Sequence, residues 1–171
     1  MMRLGTITAA AFLAAAAPAL AQDAQVPDAA LFPGDAAAGE EAFNRQCATC
    51  HVVVNEAGET LAGRNAKVGP NQYNLAYNLI GHQEDFKYSD AIMQLHEAGE
   101  RWTQEKFVAY VQDPTGWLRE ATGDKRARGK MAYQVRSEDD AQALWAYFVS
   151  ISPELTDGAL EAYQADVPGT N

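Results

Sequence analysis

Cys47-Ala48-Thr49-Cys50-His51 is the stretch on which the reading of this chain turns. Two thiols three positions apart on a helical turn can both add to the vinyl groups of a haem. The imidazole that follows the second thiol then projects towards the iron as a proximal ligand. These are the only two cysteines in the chain, so they serve one purpose or none. Three other uses compete. A thioredoxin-like redox pair can also carry a His after its second Cys, but such a pair normally follows a buried strand and opens a helix. Here the preceding residues, Asp35 to Gln46, read as helix, and no βαβ pattern follows. A structural zinc site wants four ligands, and His82 and His96 are the only other histidines, with no matching cysteine pair. Chance occurrence is the third.

Working outward, the pattern is helical on both sides of the motif. Asp35 is a good N-cap, Glu40 and Glu41 lie near the positive end of the helix dipole, and Gly39, Phe43 and Cys47 share one face. Val52-Val53-Val54 is a short β-like run followed by a turn around Asn55–Gly58, and one isolated run does not make a sheet. Ser89 caps a helix through Leu95 that ends near Gly99, with Ile92 and Leu95 inward. Thr103 caps the next, where Phe107, Tyr110 and Val111 form a stripe and Pro114 is the stop. Ser137 and Asp140 make a capping-box-like start for a last helix. In it Ala141, Leu144, Trp145, Phe148 and Ile151 recur at helical spacing before Pro153. The expected fold class is all-α. Two long segments, Asn55–Asn71 and Gly116–Arg136, carry no sustained apolar period. Loops of that length need a function or an internal prop, and a buried macrocycle would supply one.

The ends read differently. Arg3, the apolar run from Leu4 to Ala17 and the small residues of Ala19-Leu20-Ala21 make residues 1–21 a signal peptide, which predicts export to the periplasm. Residues 22–34, with Pro27 and Pro33, read as a linker and 35–152 as the domain. Residues 153–171, whose Glu154, Asp157, Glu161 and Asp166 have no cation among them, read as an acidic, flexible tail. Of the 171 residues 47% are hydrophobic, which excludes wholesale disorder and collagen-like repetition. The formal charge of −10 makes general nucleic-acid binding a poor fit, because that depends on cations neutralising phosphates. No later stretch has ~18 consecutive apolar residues, so no membrane span is expected.

Haem iron has a second axial position, and its occupant decides the chemistry. The candidates are Met93, Met131, His82 and His96. Met93 lies in the Ser89–Leu95 helix, where Met is more often core filling. His82 and His96 are flanked by polar residues and read as solvent-facing. Met131 sits in Gly129-Lys130-Met131-Ala132-Tyr133, inside an unperiodic loop, where a buried thioether needs a separate cause and iron ligation supplies one. A soft thioether favours the ferrous state and raises the reduction potential. With both axial positions filled, electron transfer is expected rather than catalysis, so the chain is not read as an enzyme. The alternative is a haem enzyme, a peroxidase or sulfur-oxidising cytochrome, with an exchangeable distal ligand.

The run Gln46 to Val54, Ala62-Gly63-Arg64-Asn65-Ala66-Lys67, Gly69-Pro70-Asn71 and Gly129-Lys130-Met131 together resemble the cytochrome c2 group of class I cytochromes c. The resemblance covers about Gly34 to Ser152. It implies one covalently bound haem c with its iron, wrapped by helices, the first and last of which cross through Gly39, Phe43, Leu144 and Tyr147. It further implies that Pro70 offers its carbonyl to the Nδ1 proton of His51, that Tyr110 lies near the Met131 sulfur, and that Tyr88 and Trp102 approach a haem propionate. For these aromatics, plain core packing is the competing use. The chain departs from the family pattern at Gln72, Asn74 and Tyr77-Asn78, and the arginine that often meets a propionate is missing at Asn78.

Charge is unevenly placed. Removing Arg3 with the leader leaves 12 cations against 23 acids, and half of those cations (Arg119, Lys125, Arg126, Arg128, Lys130 and Arg136) surround Met131 within eighteen positions. A solvated loop would look the same, but a positive ring at the haem edge of a negative body would also steer that edge towards acidic partners. The resemblance implies a monomeric one-electron carrier. Its donor would be a quinol-oxidising cytochrome bc complex and its acceptor a photosynthetic reaction centre or cytochrome c oxidase, met through Lys125, Arg126, Arg128 and Lys130.

Overall fold

Gly39 decides how the two ends of the domain meet. Helix α1 (Ala36–Ala42) crosses α5 (Glu138–Ser150). A Cβ on Gly39 would lie 2.0 Å from the Ala143 carbonyl oxygen and 2.7 Å from Tyr147 Cβ, so only a glycine lets the backbones approach this closely. Phe43 locks the crossing, edge-on to Phe148 at 5.9 Å and tilted against Tyr147 at 6.1 Å. Leu144 is buried beside them and faces the central cavity. The computed structural model describes residues 25–155 and 157–167, and the expected leader at 1–21 lies outside them.

Helix starts follow the caps read from the sequence, since each side-chain oxygen meets an otherwise unbonded first-turn amide. Asp35 accepts from Ala38 N at 2.8 Å, Ser89 from Ile92 N at 3.4 Å, opening α2 (Asp90–Glu97), and Thr103 from Lys106 N at 3.4 Å, opening α3 (Gln104–Gln112). Ser137 does the same for α5, accepting from Asp140 N at 3.2 Å. The core lies where α1, α3 and α5 meet, around Phe43, Phe107 and Phe148.

Four expectations are corrected. Val52–Val54 (β1) is not isolated: it pairs antiparallel with Thr60–Gly63 (β2), with a register irregularity between Val53 and Val54, so the all-α core carries a two-stranded hairpin. Pro114 stops α3 but also occupies the first turn of α4 (Pro114–Thr122), where its missing N–H is no loss. Asp113 caps that helix, accepting from Gly116 N at 3.0 Å, so the unperiodic loop begins only after Gly123.

The expected acidic tail is instead a helix, α6 (Asp157–Asp166), with Leu160 3% and Tyr163 1% exposed. Glu161 faces outward and Asp166 pairs within the fold, while Leu155, Leu160 and Tyr163 anchor the segment. The expected linker is the other half of that anchor. Gln25 and Leu155 exchange backbone bonds at 3.1 and 2.8 Å, the Asp28 amide donates to the Tyr163 hydroxyl at 3.0 Å, and Phe32 is buried 6.2 Å from the Tyr163 ring.

Candidate functional site

Helix α1 does not end as an α-helix. Phe43–Cys47 widens into a π-helical turn in which Ala48 N bonds Phe43 O, five residues back, at 3.0 Å. Such bulges recur at functional sites because they re-aim side chains. Cys50 N and His51 N then both return to Cys47 O, at 3.0 and 2.9 Å. The resulting tight turn places Cys47, Cys50 and His51 on the wall of a cavity of about 580 Å³.

His51 is held by the segment that follows the hairpin. Gly69 N donates to Cys50 O at 2.7 Å. A Cβ on Gly69 would fall 2.3–2.8 Å from three atoms of the His51 ring, so glycine is required by contact. That approach brings Pro70 O to 3.0 Å from His51 Nδ1. A carbonyl only accepts, so Nδ1 carries the proton and Nε2 keeps its lone pair. Burial pushes the imidazole pKa down, with the Pro70 carbonyl opposing, which leaves the ring in the neutral form a metal takes.

Across the cavity runs the 129–135 strap, tied to α3 by Val135 N donating to Val111 O at 2.8 Å. Met131, Tyr88, Trp102 and Tyr110 line the same cavity as Cys47, Cys50, His51 and Pro70, so all eight residues singled out in the sequence come together. The aromatics also pack with one another. Trp102 stacks on Trp117 at 5.6 Å and lies 5.2 Å from Tyr110, so cavity lining and core packing are one arrangement. Burial raises the Tyr88 and Tyr110 hydroxyls to about 12, keeping both protonated as donors.

Of the rival axial candidates, Met93 and His96 sit on α2 away from the cavity, His96 with Nδ1 3.0 Å from Ile80 O. His82 corrects its solvent-facing expectation. It lines the cavity with Nε2 3.3 Å from Tyr73 O, its Nδ1 is buried without a partner, and burial lowers its pKa. Polar neighbours in the sequence concealed this, because Ile80 and Gly81 turn the chain inward. Gln72 was noted only as a departure from a motif, yet it too lines the cavity, beside His51.

The cavity suits a flat apolar macrocycle: Leu75, Ile92, Phe107, Val135 and Phe148 form its walls, and two thiols and a carbonyl-oriented imidazole meet on one side. It suits a redox-active thiol pair poorly. Burial raises the Cys47 thiol to about 12, with the Cys50 and Asp140 charges adding, whereas such pairs need a depressed thiol. Among the described residues, no group of three or more His, Cys, Asp or Glu is arranged to hold a metal ion. Of the clustered cations only Lys130 lines the cavity. Its ammonium lies over the Phe86 ring at 5.8 Å and donates to the Lys87 carbonyl. Lys125, Arg126 and Arg128 are exposed on the strap leading to it.

Helices wrapped around a thiol-bearing apolar cavity of this kind define a class I c-type cytochrome. No protein-family model matches the chain, but individual relatives do. It is 58% identical over 118 residues to cytochrome c2 of Rhodovulum adriaticum, covering 69% of this chain and 93% of that one. It is 47% identical over 139 residues to cytochrome c2 of Cereibacter sphaeroides, covering 81% and 88%. The solved structure of cytochrome c2 from Rhodobacter sphaeroides superposes with a TM-score of 0.67 at 48% identity, over 70% of this chain and 97% of that one. The chain belongs to the cytochrome c2 family and is a mono-haem electron carrier, with one covalently attached haem c and its iron.

Proposed function

We propose that this cytochrome is a periplasmic one-electron shuttle whose haem is joined to Cys47 and Cys50 and whose iron is ligated by His51 and Met131. The observation that carries the reading is the convergence of these four side chains on one cavity from two distant segments of the chain. When bound, the haem supplies an iron that alternates between ferrous and ferric states. The protein's own residues do the rest. The Pro70 carbonyl accepts a hydrogen bond from Nδ1–H and fixes the imidazole plane, and the Met131 thioether would supply the second ligand to the iron. The apolar walls exclude water, so little solvent rearrangement accompanies the change in charge. Tyr88 and Trp102 serve the propionate edge and Tyr110 the sulfur side.

The monomer takes its electron from a quinol-oxidising cytochrome bc complex and passes it to a reaction centre or cytochrome c oxidase. Lys125, Arg126, Arg128 and Lys130 present the haem edge to acidic docking surfaces. Lys130 lines the cavity and the other three are exposed in the segment just before it, which supports a small transient contact in which steering matters more than buried area. The test is Met131→Ala. The oxidised protein should lose the weak band at the red end of the visible spectrum that reports sulfur on iron, and its potential should fall. An unchanged spectrum would remove Met131 from the iron. Ready binding of carbon monoxide by the unsubstituted protein would favour a haem enzyme with an exchangeable distal ligand.

A further inference from the structure

The Pro70 carbonyl that receives the His51 Nδ1 proton has a second claimant. Gln72 Nε2 lies 3.0 Å from Pro70 O and 2.9 Å from His51 Nδ1, while Nδ1 itself is 3.0 Å from the same carbonyl. The three atoms form a near-equilateral triangle. In the structure the Gln72 amide turns its NH₂ towards Pro70 and donates to that carbonyl; the opposite orientation would set Oε1 against it, acceptor to acceptor. With Nδ1 protonated, its approach to Nε2 sets one donor beside another, and both point at one acceptor.

This placement is built into the backbone. Gln72 N donates to Val52 O at 2.8 Å. Its neighbour Asn71 holds both sides of Val54, accepting from Val54 N at 3.0 Å and donating to Val54 O at 2.8 Å, and its Oδ1 also accepts from Tyr73 N at 3.1 Å. Residues 69–73 are thus clamped to β1, and the Gln72 side chain starts from a fixed point on the cavity wall.

We infer that Gln72 is a positioning residue which shares the Pro70 carbonyl with His51 and thereby raises the reduction potential. The inference rests on the reading of His51 as the iron ligand. A carbonyl accepting from two donors binds each less strongly, so the imidazole keeps its proton closer and pushes less electron density onto the iron. The amide's positive end, 2.9 Å from the ring, opposes added positive charge there. Both effects disfavour the ferric state, and both work through an outer hydrogen bond rather than a ligand change.

The experiment compares haem-loaded wild type with Gln72→Leu and, should that variant fold poorly, the near-isosteric Gln72→Met. Two readouts are taken: the midpoint potential, and the proton resonance of His51 Nδ1–H in the ferrous protein. Removing the competing donor should move that resonance downfield, slow its exchange with solvent, and lower the equilibrium constant for reduction about tenfold, which is about 59 mV for one electron. A merely structural role would leave the Nδ1–H resonance in place. An equilibrium constant for reduction that stays within twofold of wild type or rises, or a resonance that does not move, would overturn the inference. Ferrous wild-type spectra without ring-current-shifted His51 protons would instead overturn the ligand reading, and this inference with it.

Discussion

Tyr163→Ala in the haem-loaded protein is expected to unlatch the C-terminal helix. The ring is 1% exposed, edge-on to Tyr77 at 5.3 Å and tilted against Phe32 at 6.2 Å, and its hydroxyl accepts the Asp28 amide at 3.0 Å. Truncating a buried aromatic to Ala costs about 3–5 kcal/mol. The stranded Asp28 amide adds about 1 kcal/mol. The loss has a ceiling, because a peripheral helix can open without the haem domain unfolding, and the measured value then saturates at the free energy of docking. For a chain of this length 1 kcal/mol shifts the melting temperature by about 2–4 °C, so a drop of about 10 °C is expected. Tyr163→Phe keeps the ring and loses only the hydrogen bond, for a drop of about 3 °C. Thermal melts give the size, and amide exchange in α6 and at the Gln25–Leu155 bridge gives the place. A Tyr163→Ala melt within 1 °C of wild type, with α6 exchange unchanged, would refute the latch and restore the solvated tail.

Gly69→Ala drives a methyl to within 2.3–2.8 Å of the His51 ring. The ring must retreat, at about 1–3 kcal/mol of overpacking, and a lower melting temperature with a perturbed oxidised spectrum is the expected result; a normal spectrum would contradict the contact. Asp166 accepts from Gln104 N at 2.9 Å and the Tyr77 hydroxyl at 3.3 Å, and burial raises its carboxyl above the ordinary 3.8 despite those bonds. The folded state therefore holds this proton more tightly than the unfolded chain. The stability it confers is complete below pH 3.8 and declines as pH rises through the raised folded value. Asp166→Asn should remove that slope in melts from pH 4 to 7, and a slope that survives would assign it to another group. Electron exchange with an acidic partner should slow as ionic strength rises, and Lys130→Ala should flatten the dependence; a rate indifferent to salt in wild type would remove the steering role.

What the sequence disclosed depended on whether the signal was local. Caps at Asp35, Ser89, Thr103 and Ser137 act within three residues, and each helix begins where its cap predicts. The attachment turn is a pentapeptide and needs no tertiary information. Met131 was reached because a thioether in an unperiodic loop needs a reason for burial, whereas Pro70 was reached only through motif resemblance, since nothing local says that its segment meets His51. The hairpin was missed because β2, Thr60–Gly63, is half exposed and contains no alternating apolar run. The latch was missed for a different reason. Its strength lies in Phe32, Tyr77, Leu160 and Tyr163, scattered over more than a hundred positions, and each looks incidental in its own segment. His82 had polar neighbours, and only the turn of the chain at Gly81, with φ of 79°, puts it against the cavity.

The departure at Tyr77 and the C-terminal helix are structurally linked. Tyr77 adopts a φ of 62°, a conformation that strains a non-glycine residue by about 1–2 kcal/mol. Its ring is fully buried, edge-on to Trp145 at 5.2 Å and to Tyr163 at 5.3 Å, and its carbonyl accepts from Arg101 Nη1 at 3.2 Å. Burying so large a side chain more than offsets the strain, but only because α6 supplies one wall of its site. Asn78 closes the local turn, donating to Asn74 O at 3.1 Å and accepting from Leu79 N at 2.8 Å. His82, a few residues further on, lines the cavity. The C-terminal helix thus stabilises the backbone at Tyr77, just before Ile80 and Gly81 turn His82 into the cavity.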